Sequence, residues 1–203
     1  MQKDFEIDVV RCMECMQTGG IFLYPTDTIW GIGADPRDEA AVERIIQLKK
    51  RPGNKSFVIL VASVSQLERY VNSIDGRLMD YLNTRSKPTT VIYGGAKGLA
   101  PSVIAEDGTV AIRICKEPFC LELINRVGCP VLSTSANLSG DPAPSFFAEM
   151  NPNIITGVDY VVKYRREETR KAAPSAIIKW HPERLKANTT DTDISPAIEI
   201  IRN

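Results

Sequence analysis

Apolar and polar positions fall into blocks along the chain that predict helices and strands in turn. Apolar residues at helical spacing within residues 9–17 predict a first helix, which Gly19-Gly20 ends. Further helices are predicted at 38–50, from Ser65 toward Val71, at 76–84 and at 119–127. Short apolar runs predict strands at 21–24, 57–62, 89–93, 109–115, 130–133, 160–163, 176–180 and 197–202. Interleaved strands and helices indicate an α/β fold with a mixed sheet.

Length, charge and cysteine content narrow the class of protein. The chain of 203 residues suits a single domain covering 1–203. Lys+Arg and Asp+Glu both number 25, so we expect any contact with tRNA or other double-stranded RNA to be weak or transient. An odd number of cysteines, five, favours reduced thiols and a cytoplasmic location. The acidic first eight residues do not resemble a signal peptide, and no apolar run is long enough to span a membrane.

Several familiar motifs are incomplete. Residues 31–36 begin like a dinucleotide fingerprint, but Pro36 stands where its third glycine belongs. Residues 94–98 lack the spacing of a phosphate-binding P-loop. Cys12 and Cys15 have no second pair at zinc-site spacing, and His181 is the only histidine. We therefore expect neither a protein-held metal nor a serine or zinc hydrolase.

A polar turn follows the first predicted strand. The sequence Pro25-Thr26-Asp27-Thr28 places two hydroxyls and a carboxylate close together. Such residues are common where turns cap neighbouring structure. The turn is therefore either a capping turn or part of a binding site.

A basic cluster lies at the end of the second predicted helix. Four cations occur within residues 49–55, around a Pro-Gly turn. Cations commonly complement the dipole at a helix C-terminus, which is the structural alternative. Four exceed what one helix end requires, and each close pair repels by about 4 kcal/mol at an effective dielectric constant near 20. A bound triphosphate would relieve that repulsion.

A serine-rich bend, residues 133–140, follows the predicted strand at 130–133. It carries four hydroxyl residues and the amide of Asn137. Such groups can hold carboxylate, ribose or phosphate oxygens at a strand end, where α/β proteins bind ligands. The alternative is a polar turn that satisfies its own hydrogen bonds.

The three segments, in this order and spacing, resemble the YrdC-like family of threonylcarbamoyl-AMP synthases in its short form. The family pattern has a Pro-Thr-x-Thr turn, a Lys-x-Arg pair and a Ser-x-Asn element. Here these are Thr26 with Thr28, Lys49 with Arg51, and Ser135 with Asn137. The resemblance runs from about residue 7 to about residue 180. It implies an α/β fold with a twisted, mostly mixed sheet, flanking helices and a large concave cavity.

The resemblance also implies how site residues divide between two substrates. Those expected to bind ATP are Lys49, Arg51, Lys55, Thr109, Ser135, Asn137, Ala143 and Arg202. Those expected to bind L-threonine are Thr28, Arg113, Ser133 and Ser175. Lys49 and Arg51 are the expected catalytic residues, which would stabilise charge on leaving pyrophosphate together with Mg²⁺. The forked guanidinium of Arg113 suits a carboxylate.

The implied activity joins L-threonine, bicarbonate and ATP into threonylcarbamoyl-AMP and pyrophosphate, a nucleotidyl transfer that needs no protein nucleophile. Its product would serve tRNA threonylcarbamoyladenosine formation through a downstream threonylcarbamoyl transferase complex.

Two positions depart from the family. Residues 85–90 replace a Trp-Pro-Gly-Pro-x-Thr motif, which leaves the shape of that wall open. Leu60 stands where longer relatives have a histidine, so the threonine pocket should be more apolar.

Two functions from other classes remain as alternatives. The first is a module that binds double-stranded RNA or tRNA, which the neutral net charge argues against. The second is a carbamoyl-transfer domain like those in hydrogenase-maturation proteins. That domain usually accompanies zinc-finger and acylphosphatase modules, for which 203 residues leave no room.

Overall fold

Strands from the whole length of the chain join one sheet in the computed structural model, which describes residues 4–50, 57–185 and 193–203. The strands of this part of the chain are β1 (Phe22–Tyr24), β2 (Gly31–Ala34), β3 (Val58–Val61), β4 (Thr89–Tyr93), β5 (Val110–Ile114), β6 (Val131–Ser135), β7 (Tyr160–Val161), β8 (Ala176–Trp180) and β9 (Ile198–Arg202). Their order across the sheet is β7-β1-β2-β6-β3-β5-β4-β8-β9. The pairs β1–β7, β3–β5 and β4–β8 are parallel and the others are antiparallel, so the predicted mixed sheet is confirmed.

Helices flank this sheet. In the described residues they are α1 (Glu6–Gln17), α2 (Glu39–Lys49), α3 (Val64–Leu67), α4 (Gly76–Thr84), α5 (Pro118–Val127) and α6 (Pro152–Thr156). Carboxylates cap the N-termini of three of them, including α4, where Asp75 accepts from the amide of Arg77. Asp38 accepts from the amide of Ala41, and Glu117 accepts from the amide of Cys120. No helix within the described ranges combines the length and the apolar character needed to cross a bilayer.

Most predicted elements are present, with three informative differences. The helix at 76–84 and the strands at 89–93 and 176–180 have the predicted bounds, whereas the helical stretch from Ser65 is only the short α3. β6 continues two residues beyond the predicted strand, to Ser135. Strand β2 was not predicted, and its residues were taken only for an incomplete fingerprint. The surface loop predicted for 186–193 lies outside the described residues except for Asp193.

Glycine explains why β2 is hard to predict. A Cβ on Gly33 would lie 2.7 Å from the rings of Phe22 and Tyr24, so this strand has no side chain where the rings of its neighbour β1 pack. Glycine is depleted in strands generally, and two in four residues hide the apolar pattern. Close packing against aromatic rings therefore decides the structure here.

A buried aspartate fixes the chain that follows β7. Asp8 in α1 is 4% exposed and accepts hydrogen bonds from the Tyr160 hydroxyl and from the amides of Lys163 and Tyr164. The next residue, Arg165, donates to the carbonyl of Thr26 at 3.0 Å. Contacts far from the concave face thus support the turn at 25–28.

Candidate active site

A cavity of about 270 Å³ is lined by residues of β2, β3, β5, β6, β8 and β9 together with the turn that ends at Thr28. Seven of the residues predicted to bind ligand line it: Thr28, Arg113, Ser133, Ser135, Ala143, Ser175 and Arg202. The sheet brings them together although they are up to 174 positions apart in the sequence. The concave cavity expected from the sequence is therefore present, with hydroxyls and guanidinium groups in its walls.

Arg113 is the buried cation of this cavity. Its side chain is 5% exposed, and its Nη2 lies 2.9 Å from Oδ1 of Asp27. The same nitrogen donates to the Thr28 hydroxyl, and Nη1 donates to the Thr90 hydroxyl, both at 3.3 Å. The Nε–H has no acceptor among the described residues. A buried donor left unpaired is costly, so this edge of the guanidinium favours an incoming anion.

Ser175 connects two arginines at the same wall. Its hydroxyl lies 2.9 Å from that of Thr90, which contacts Arg113. Arg202 in β9 donates from Nε to the Ser175 carbonyl at 3.0 Å and from Nη2 to its hydroxyl at 3.4 Å. Burial and the neighbouring Arg113 charge lower the pKa of Arg202 from its ordinary value. Among the described residues these two guanidinium groups have one carboxylate, that of Asp27, as an ion-pair partner, so this wall carries positive charge.

The turn at 25–28 is organised from within. The hydroxyl of Thr26 accepts from the amide of Thr28 and donates to the carbonyl of Ile29 at 2.7 Å. Both threonines are at least nine-tenths buried, and their hydroxyls lie 3.0 Å apart. The turn thus has the internal bonds of a capping turn, and it also presents Thr28 to the cavity. The capping bonds are therefore present, and the role of the turn in binding stays a prediction.

Lys49 holds the serine-rich bend through hydrogen bonds to its backbone. Its ammonium donates to the backbone carbonyl of Ser135 and, at 2.5 Å, to that of Asn137. The Lys49 carbonyl in turn accepts from the amide of Ser139 at 2.9 Å. The side chain is only 2% exposed and is not among the groups that line the cavity. The end of α2 and the bend are therefore joined as one unit.

The remaining predicted ATP residues lie at different places. Asn137 donates to the carbonyls of Leu138 and Asp141, and its Oδ1 is buried without a donor among the described residues. Thr109 does not line the cavity, and its hydroxyl donates to Asp107 at 2.6 Å. Arg51 and Lys55 lie outside the described residues.

Gly31 is needed because the cavity wall is tight. A Cβ at this position would lie 2.9 Å from the hydroxyl of Ser133 on the adjacent strand β6. The carbonyl of Thr134 would be 3.4 Å away. A bare backbone here leaves room for the Ser133 hydroxyl to face the cavity.

Two groups that organise the site were not assigned from the sequence. Thr90 is fully buried and bonds both Arg113 and Ser175, yet in a strand its residue type is ordinary. Asp27 was noted as part of the polar turn, but its pairing with Arg113 joins residues 86 positions apart. In the sequence, its carboxylate beside two hydroxyls was the feature that could have indicated this role.

Fold and cavity define an α/β protein with a cationic, hydroxyl-lined pocket at the ends of neighbouring strands. The family model Sua5_yciO_yrdC, described as "Telomere recombination", matches residues 14–187. A threonylcarbamoyl-AMP synthase of Xanthomonas euvesicatoria pv. vesicatoria is 35% identical over 160 residues, 77% of this chain and 85% of the relative. The chain belongs to this Sua5/YciO/YrdC family.

Solved structures agree with that placement. Sua5 of P. abyssi, crystallised with L-threonine, superposes with a TM-score of 0.77 at 26% identity over 88% of this chain. This chain spans about half of that longer protein, 52% of its length. YciO of E. coli superposes with a TM-score of 0.76 at 22% identity, over 97% of this chain and 88% of its own, which shows a shared fold.

Proposed function

We propose that this protein is a threonylcarbamoyl-AMP synthase, which condenses L-threonine, bicarbonate and ATP and releases pyrophosphate. Its membership of the family and the name of its 35%-identical relative support this activity. The observation in the structure that carries the proposal is the buried Arg113 guanidinium with an unfilled Nε–H in a hydroxyl-lined cavity. This arrangement suits the carboxylate of a small polar amino acid.

Threonine would bind at the Arg113 end of the cavity. Its carboxylate would accept from the free Nε–H, and the hydroxyls of Thr28, Ser133 and Ser175 would surround its remaining polar groups. All three hydroxyl residues are at most 9% exposed, so their orientation is set before the substrate arrives. Val58 and Ile177, which line the cavity, supply apolar surface that suits the threonine methyl group, whereas the fully buried Leu60 does not line it.

ATP would bind along the serine-rich bend. Ser135 and Ala143 line the cavity beside Arg202, whose cation carries no ion pair with a described carboxylate and suits a phosphate. Asn137 lies two residues after Ser135 in the bend, and the Lys49 ammonium donates to its backbone carbonyl. We assign Arg51, Lys55 and Thr109 to the same nucleotide on the resemblance of the sequence alone.

The chemistry then requires positioning and charge stabilisation. The threonine amine, after losing a proton, bonds to the carbon of CO₂ or of bicarbonate, in the latter case with loss of hydroxide as water. A carbamate oxygen next bonds to the α-phosphorus of ATP while the bond from that phosphorus to the pyrophosphate oxygen breaks. Residues of this chain hold the two reactants in line, and oriented donors each lower such barriers by about 3–4 kcal/mol. This assigns the enzyme to the nucleotidyltransferases.

Magnesium would enter with the nucleotide. The side chains that line the cavity include no carboxylate, and the described residues contain no cluster of three potential metal ligands. Mg²⁺ prefers oxygen ligands and is commonly held through substrate phosphates. We therefore treat the metal as part of the Mg²⁺–ATP substrate.

Pyrophosphate release tests the activity directly. Purified protein is given Mg²⁺–ATP with threonine and bicarbonate, and each of the two is then omitted in turn, using degassed buffer for bicarbonate. We expect release only when all substrates are present. Release that ignores threonine, or consumption of carbamoyl phosphate in its place, would refute the assignment.

The product would pass to a threonylcarbamoyl transferase complex in the cytoplasm. The mixed anhydride of a carbamate and a phosphate is unstable, so rapid transfer to a partner enzyme is advantageous. Zero formal net charge fits a protein that touches tRNA weakly or transiently.

A further inference from the structure

A second cavity, of about 260 Å³, lies on the opposite face of the sheet from the active site. Val91 of β4 and Ile112 of β5 are register partners and line it. Their sequence neighbours Thr90 and Arg113 point to the active-site face, where they bond each other. Because successive side chains of a strand point to opposite faces, the two cavities are separated by the sheet.

The walls of this second cavity are apolar. They comprise Leu67, Leu82, Val91, Tyr93, Ile112 and Ile114. Four of these six are at most 2% exposed, so the cavity is closed off from bulk water on that side. Protein interiors seldom leave so large an apolar space unfilled, which favours an apolar occupant.

One polar group lies within these walls without a partner. The side chain of Tyr93 is 2% exposed, and its hydroxyl makes no hydrogen bond with any described residue. Burial raises the pKa of this phenol, so it stays a neutral donor at physiological pH. The hydroxyl oxygen itself remains accessible from the cavity, so it can donate there to water or to a ligand acceptor.

The mouth of the cavity is cationic. Arg85, Lys87 and Lys116 lie around it, and the one acid there, Asp27, is already paired with Arg113. Lys87 and Lys116 are exposed and make no ion pair with a described carboxylate. Arg85 lies over the ring of Tyr81, 5.5 Å from its centroid. An anionic group at the mouth would therefore meet uncompensated positive charge.

We propose that this cavity binds a short aliphatic carboxylate. Its chain would lie among the apolar walls, and its carboxylate would sit at the mouth with Lys87 and Lys116. A methylene takes about as much room as a water molecule, roughly 30 Å³, so a chain of about six to eight carbons fits. The site is independent of the proposed synthase activity.

A titration of the ¹⁵N-labelled full chain, followed by NMR, tests this site. Butyrate, hexanoate and octanoate are added separately, with 1-hexanol as the neutral match for hexanoate. We expect saturable shifts of the Leu82, Val91 and Lys116 amides, with affinity rising about fourfold for each methylene. Hexanol should bind at least threefold more weakly than hexanoate.

Variants measure separately how much the charge at the mouth and the apolar walls contribute to binding. Lys87→Ala and Lys116→Ala should each weaken octanoate about two- to fivefold, as expected of exposed ion pairs. Lys97→Ala, an exposed lysine away from the cavity, is the matched control and should bind normally. Leu82→Phe should fill the space and weaken octanoate at least tenfold, and its amide spectrum shows whether it is folded.

Three results would overturn the proposal. The first is shifts centred on Ser133 and Ser175, because the carboxylate would then bind at Arg113. The second is hexanol binding as tightly as hexanoate. The third is the absence of a saturable shift with octanoate. None of them would bear on pyrophosphate release.

Discussion

Arg113 is the residue on which the proposed threonine site most depends. A buried guanidinium needs anionic or neutral acceptors for its donors, and here Asp27, Thr28 and Thr90 supply only some of them. Asp27 balances the charge, while the buried Nε–H is left without an acceptor among the described residues. The protein partners of Arg113 therefore hold its side chain in one position, and the guanidinium can still bind a substrate carboxylate.

Arg113→Lys should separate charge from geometry. Lysine keeps the positive charge but has no fork, so the loss of charge-assisted hydrogen bonds should cost about 3 kcal/mol. We expect kcat/KM for threonine to fall roughly 10²-fold, with a much smaller change in KM for ATP. Arg126→Lys, at an exposed arginine paired with Glu6 and Glu122, is the matched control. An unchanged threonine KM in Arg113→Lys would contradict the assignment.

Some site residues could be predicted from the sequence because their types are uncommon where they occur. Ser133 and Ser135 close an apolar strand, and Thr28 ends a polar turn, so their position in a cavity wall was foreseeable. Thr90 looked like any β-branched strand residue. Lys49 was predicted to face phosphate, but only the folded chain shows that its ammonium bonds two backbone carbonyls.

At the scale of elements, the junction between α2 and the end of β6 shapes the nucleotide side of the cavity. A lysine buried at a helix end is unusual, and here it satisfies carbonyls that the bend leaves without sheet partners. The Ser139 amide completes the junction by bonding the Lys49 carbonyl.

Lys49→Met should therefore lower both activity and stability. Methionine fills similar space but donates no hydrogen bond, so the Asn137 carbonyl loses its side-chain donor and the Ser135 carbonyl keeps only the Asn137 amide, at a cost of about 1–3 kcal/mol. Urea unfolding should show that loss, and the Ser139 amide should exchange its hydrogen faster. Lys50→Met, at the exposed neighbouring position, should leave both measurements unchanged. If Lys49 serves only to bind phosphate, activity would fall while stability stayed at the wild-type value.

The bounds of elements were predictable where one physical signal dominated. Helix α4 begins after the capping Asp75, and β8 is an alternating apolar run, so both have the expected limits. Strand β2 was missed because Gly33 is required by packing against Phe22 and Tyr24, and Gly31 by the Ser133 hydroxyl. These requirements come from the partner strands, which local pattern does not reveal.

The edge of the sheet at β7 depends on a carboxylate that should lose its effect in acid. Asp159 accepts from the Ile21 amide at 2.7 Å and pairs with Arg44 at 2.9 Å, and the Arg44 contact lowers its pKa. Because the pKa of this carboxyl is lower in the folded state than its unfolded value near 4, the ionised carboxylate stabilises the protein above that unfolded value. The stabilisation is lost as the pH falls below about 4 and through the folded-state pKa.

Asp159→Asn should reveal this dependence. We expect the variant to be less stable than wild type in urea at pH 7 and the difference to shrink as pH falls below about 4, because the wild-type carboxylate is then protonated. Asp80→Asn, at an exposed acid of α4, should show no such convergence. A difference that stays constant down to pH 3 would mean that the charge of Asp159 contributes nothing.

At the scale of the whole molecule, one sheet carries much of the wall of the proposed active site, and the loops before β2, after β6 and before β8 complete it. Residues that line the cavity come from β2, β3, β5, β6, β8 and β9, which are all members of the same hydrogen-bonded array. A ligand that bridges these strands binds only when the array is intact. Binding and global folding should therefore be coupled.

Threonine should consequently raise the melting temperature of the entire chain in one step. At a concentration 100 times its Kd, a ligand specific for the folded state adds about 2.7 kcal/mol, which for a chain of this size corresponds to about 5–10 °C. Far-UV circular dichroism and the fluorescence of Trp30 and Trp180, one in the cavity and one in β8, should move together. Serine at the same concentration should give a smaller shift because it lacks the methyl group. Arg113→Lys should shift little with threonine, and a wild-type shift in that variant would place the amino acid elsewhere.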